Sequence, residues 1–142
     1  MNKKIYLNKI KKNWKEINNI PNELLNDKSF LIEAVKINGT IIHGINSKYL
    51  DDEDIIIAAS KTYLYAACYA SDRIKENEKL VLKMIKNNCF TITFFPFFLK
   101  NKKFILKAIK QNYLCYKLLN QELKNDEEVK EKYEKVVNSK NT

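Results

Sequence analysis

Apolar and polar positions along this chain repeat with a period near 25 residues. The segments "LNDKSFLIEAVK" (25–36), "LDDEDIIIAASK" (50–61), "ENEKLVLKMIK" (76–86) and "LKNKKFILKAIK" (99–110) align, and "KNDEEVKEKYEK" (124–135) is a fifth, polar copy. Taking Asp27, Asp52, Asn77, Asn101 and Asp126 as reference, the steps are 25, 25, 24 and 25 residues. Asp and Asn are preferred helix N-caps, because the side-chain oxygen accepts an orphan N–H of the first turn. Three residues on stand Phe30, Ile55, Leu80, Phe104 and Val129, and four further on Ala34, Ala59, Met84, Ala108 and Tyr133. Positions i and i+4 share a helical face, so each copy predicts a cap followed by an amphipathic helix.

The stretch before each cap also aligns. Ile20, Ile45, Ala70, Phe94 and Leu119 form one apolar column; Leu24, Tyr49, Ile74, Phe98 and Leu123 form another. Between them there is room for a second short helix at about 40–45, 63–70, 90–95 and 113–119, followed by a polar turn. At the start, Leu7, Ile10, Trp14 and Ile17 predict one long amphipathic helix, with Trp14 sealing the end of the core. The expected fold is all-α: tandem helix-turn-helix repeats forming a short α-solenoid or curled helical bundle, since one unit cannot bury both faces of its helices alone. The expected organisation is a single domain. It has an N-terminal helix and lead-in over 1–26, four helical hairpins over 27–125 and a polar cap helix over 126–142.

These units resemble the repeats of the family called domain of unknown function 4116. Leu25, Asp27, Ala34, Lys36, Asn38 and Gly39 match its pattern, as do Leu50, Asp52, Ala58, Ala59, Lys61, Ala70 and Ser71. Lys110, Gln111 and Asn112 match again. The resemblance covers about Pro21 to Val137. Later copies depart from it, with Leu64, Cys89 and Tyr113 where Gly39 stands. It implies the helical-repeat fold and brings no activity with it.

Composition agrees with helices. Only 2 Gly and 2 Pro occur in 142 residues, too few for a fold rich in tight turns. The longest apolar stretch, Cys89 to Leu99, is too short to span a bilayer and Pro96 interrupts it. No apolar leader follows Lys3 and Lys4. Cys68, Cys89 and Cys115 are odd in number and widely spaced, which predicts reduced thiols and a cytoplasmic protein, with delivery to a host by a signal-less route left open.

The formal charge of +9 directs attention to lysine. Nine residues after each cap stand Lys36, Lys61, Lys86, Lys110 and Lys135, a basic ladder if the units stack. Such a ladder could track phosphates. Equally, each lysine could close its helix, where a cation suits the dipole and the last free carbonyls. The other unusual feature is "FFPFF" (94–98). Phe95 and Phe97 fall where the other copies are mostly polar, and Lys102, Lys103 and Lys107 follow on the next helix. These five residues are the candidate partner-binding site. His43 with the three cysteines lacks the paired spacing of structural zinc, so no metal or cofactor is expected. No Gly-rich phosphate loop or metalloprotease motif is present. The expectation is therefore a non-catalytic protein-protein interaction module, an adaptor, effector or inhibitor. The alternative is a basic binder of nucleic acid or a ribonucleoprotein.

Overall fold

A computed structural model describes residues 2–142. These residues gather into two compact units, the first ending at Ile74 and the second covering Lys75–Thr142. Among the described residues all regular structure is helical. Each unit holds three of the longer α-helices. The first has α1 (Lys3–Lys12), α2 (Lys28–Ile37) and α3 (Glu53–Ser60); the second has α4 (Glu78–Asn87), α5 (Lys102–Gln111) and α6 (Glu127–Lys140).

The predicted caps form. The side chains of Asp27, Asp52, Asn77, Asn101 and Asp126 each accept the backbone N–H three residues on. In three of the four hairpin copies the second helix is tighter than an α-helix. It is a 3₁₀ helix at Gly39–His43, Cys89–Phe94 and Tyr113–Leu118. The expected polar turn is itself helical, for example at Ser47–Asp51 and Gln121–Asn125.

One column of asparagines produces this shape. Asn13, Asn38, Asn88 and Asn112 all take an extended conformation just after an α-helix. Each side chain accepts the N–H two residues on and starts the 3₁₀ turn. The same side chain can also donate to the preceding copy: Asn38 Nδ2 reaches the Ile10 carbonyl at 3.4 Å and Asn112 Nδ2 the Ile85 carbonyl at 3.1 Å. In the copy that begins at Asp52, Tyr63 occupies the asparagine register and no such cap forms. There Thr62 Oγ1 donates to the Val35 carbonyl instead, at 2.9 Å, and the following segment is a short α-turn, Ala66–Tyr69.

Asn13 also overturns the long N-terminal helix. The chain leaves α1 at Asn13 and resumes as a 3₁₀ helix, Trp14–Asn19. Residues 2–25 therefore repeat the same succession of α-helix, 3₁₀ helix and short turn, with Asn2 in the cap position. Trp14 opens that 3₁₀ helix and lies half-buried against His43, ring centroids 5.7 Å apart.

In the first unit Ile10, Phe30, Leu31, Val35, Ile55 and Ile56 are fully buried between α1, α2 and α3. In the second, Val81, Met84, Ile85, Phe104, Ile105 and Ile109 do the same between α4 and α5, and Val129 joins them from α6. Thr91 shares its register with the buried Ile41, Ala66 and Cys115, and its buried Oγ1 has no hydrogen-bond partner among the described residues. A buried hydroxyl without a partner costs stability and a methyl of the same shape does not. Thr91→Val is expected to raise the urea midpoint, by about 1 kcal/mol of stability. No helix is long and apolar enough to cross a membrane, among the described residues.

Candidate functional site

The aromatic turn of the second unit is the most unusual surface. The 3₁₀ helix Cys89–Phe94 ends at Phe95, and Pro96 turns the chain into the short helix Phe98–Lys100. Phe98 stacks on Phe104 of α5 with centroids 4.6 Å apart, which anchors the turn to the core. Phe95 folds inward edge-on to Phe98 and is only 7% exposed. Of the two phenylalanines placed at the candidate contact, apolar burial against Phe98 thus withdraws Phe95 from the surface. Phe97 remains 78% exposed, its ring 5.6 Å from that of Phe98. Phe94 to Phe98, with Lys75 and Glu76, line an apolar depression of about 460 Å³.

The lysines beside this turn are placed differently from one another. Lys102 Nζ lies 3.0 Å from Asp126 and 2.9 Å from Glu128, and Lys107 Nζ 2.5 Å from Glu78. Lys103 is exposed with no acidic partner within ion-pair distance among the described residues. So Lys102 ties α5 to α6 and does not stand free at the aromatic turn.

The Lys102 contact belongs to a series. The residue after each cap reaches the cap of the next copy: Lys3 to Asp27 at 2.6 Å, Lys28 to Asp52 at 2.9 Å, Lys102 to Asp126. Where the next cap is neutral, as with Asn77 and Asn101, the equivalent residues are Glu53 and Glu78. The ammonium partners hold the Asp27 and Asp126 carboxyls below the usual carboxylate range, aided by the capped backbone N–H groups. Exposed pairs of this kind add little stability, but they match each layer to its neighbour.

The five ladder lysines are all exposed. Lys36, Lys86 and Lys110 lie in the last turn of α2, α4 and α5, and Lys61 caps α3. Those four positions suit the helix dipole. Lys135 does not, since α6 continues to Lys140.

His43 is not brought into a metal site. Its Nε2 lies 3.0 Å from Tyr63 Oη, and Trp14, Tyr63 and Tyr69 surround its ring. Cys115 is buried, its Sγ 3.8 Å from the Cys89 carbonyl, and burial pushes its thiol up to about 12. No group of three or more His, Cys, Asp or Glu is placed to hold a metal ion, among the described residues.

Helical copies of about 25 residues, joined through caps and side-chain ties, define an all-α tandem-repeat protein. The family model described as "Domain of unknown function (DUF4116)" matches residues 2–50, 52–100 and 101–133, and the chain belongs to that family. The first match starts at Asn2, in keeping with the copy formed by residues 2–25. No curated protein and no solved structure matches the chain.

Proposed function

We propose that this chain is a non-catalytic binding module whose aromatic turn, Phe94 to Phe98, receives an apolar side chain of a partner protein. The observation that carries this reading is Phe97, 78% exposed at the rim of an apolar depression. The same register holds Glu23, Lys48, Arg73 and Glu122 in the other copies. A phenylalanine left in water costs free energy that the repeat fold does not require, since four charged residues serve there equally well. A depression of about 460 Å³ accommodates one or two large side chains, with Lys75 and Glu76 at its edge to pair with polar groups around them.

A photo-crosslinking residue placed at Phe97 in living cells tests this directly. It is expected to trap one predominant protein that the same residue at Ile37, an exposed apolar position in the first unit, does not trap. Equal products from both positions, or none from position 97, would remove the assignment.

A further inference from the structure

We infer that the outer face of α4 and α5 binds the phosphate backbone of a nucleic acid. Two, six and nine residues after the cap, α4 carries Lys79, Lys83 and Lys86. In the same register α5 carries Lys103, Lys107 and Lys110. All six are exposed, on the side of each helix away from buried Met84 and Ala108. Lys107 is held by Glu78; the other five have no acid within ion-pair distance among the described residues.

Neither the ladder nor composition accounts for this. The register reads Lys4, Asn8 and Lys11 on α1; Ser29, Glu33 and Lys36 on α2; Asp54, Ala58 and Lys61 on α3; Glu128, Lys132 and Lys135 on α6. Full lysine rows occur only on two neighbouring helices that pack together. Residues 75–125 hold eleven lysines and three acids, whereas the first unit, 1–74, is nearly balanced with eleven basic and nine acidic residues. Helix polarity gives a second argument. Lys86 and Lys110 suit the negative ends of their helices, but Lys79 and Lys103 are each the second residue of a helix, where a cation opposes the dipole. Unlike Lys102 at the first residue of α5, neither has an acidic partner in the chain among the described residues, so each is open to an anion from outside.

The dimensions suit a polyphosphate. Seven residues of helix span about 10 Å, and packed helices lie about 8–10 Å apart. The six lysines therefore rise from a patch about 10 Å on a side, where neighbouring charges stand about one Debye length apart and repel one another most at low salt, until phosphates neutralise them. Lys79, Lys83 and Lys86 border a depression of about 300 Å³ with Leu82 and Gln111. A lipid surface would also supply phosphates, but it calls for apolar side chains standing out among the lysines. Here Leu82 and Leu106, the apolar residues between the lysines on α4 and α5, are half-buried. Ammonium groups read phosphate charge and not base edges, so recognition is independent of sequence.

The test uses the full chain and fluorescently labelled oligonucleotides, single-stranded and duplex, followed by anisotropy across a salt series. Binding is expected at about 50 mM salt and is expected to weaken steeply as salt rises. Replacing Lys79, Lys83 and Lys86 together by Gln is expected to lower affinity at least about tenfold and to flatten the salt slope by about 0.9 for each lost contact. Melting should not fall, which separates loss of the site from loss of the fold. Replacing Lys11, Lys36 and Lys61 together by Gln serves as the charge-matched control and is expected to bind as wild type. Phe97→Ser should also bind as wild type, so this inference and the proposed protein site fail independently. No binding at low salt, equal losses from the control, or attachment to anionic vesicles without binding to either oligonucleotide would overturn it.

Discussion

Gly39→Ala is expected to destabilise the first unit by about 3 kcal/mol, the range of severe overpacking, and to lower its melting temperature by more than about 10 °C. A Cβ at Gly39 would stand 2.4 Å from the Ala59 carbonyl oxygen, 2.7 Å from Tyr63 Cβ and 2.8 Å from Thr62 Oγ1. The first of these is backbone, so no side-chain rotation relieves it. The approach is close because Gly39 N–H donates to Thr62 Oγ1 at 2.8 Å while that hydroxyl donates to Val35. Any displacement breaks both bonds. Circular dichroism against temperature checks the effect, and an unshifted melting curve would mean that α3 can move away without penalty.

Phe104→Ala is the second large effect, expected to cost about 3–5 kcal/mol in urea denaturation. Phe104 is fully buried and is the surface on which Phe98 stacks. Its removal leaves a cavity under the aromatic turn as well as losing apolar burial. Phe104→Leu, which keeps most of the volume, is expected to cost less than half as much. A near-neutral Phe104→Ala would contradict the assignment of this ring as the anchor of the turn.

The helices were legible because their signals are local. A cap such as Asp27 followed by Phe30 and Ala34 specifies a helix start and its buried face without reference to the rest of the chain. The N-terminal copy was obscured because Leu7, Ile10, Trp14 and Ile17 keep helical spacing across a break made by one residue, Asn13. The asparagine column was visible in the sequence, but its meaning depends on the extended backbone that each asparagine adopts and on a carbonyl in the preceding copy. Glycine at 39 became intelligible only beside Thr62 and Tyr63, the irregular end of α3.

The candidate site was legible in part. Placing five aromatic and basic residues at one contact followed from their nearness in sequence. Burial then separated Phe95 from Phe97, and ion pairing took Lys102 to α6. Period alone could not separate them, because Phe95 turns inward through the geometry at Pro96. The basic rows had a sequence signal that the ladder concealed. Reading one column emphasises Lys86 and Lys110, which the dipole explains, whereas three columns read together set α4 and α5 apart as the helices with lysine in all three.

The central claim is that Phe97 is the residue by which this repeat protein holds its partner. The most direct measurement is the affinity of the protein trapped at position 97 for three purified forms of the chain: wild type, Phe97→Ser, and the variant with Gln at 79, 83 and 86. An anchor ring of this kind contributes at least about 2 kcal/mol, so Phe97→Ser is expected to weaken binding by about thirtyfold or more. The lysine variant is expected to bind the protein partner as wild type does. Undiminished affinity of Phe97→Ser, with its melting temperature unchanged, would contradict the claim.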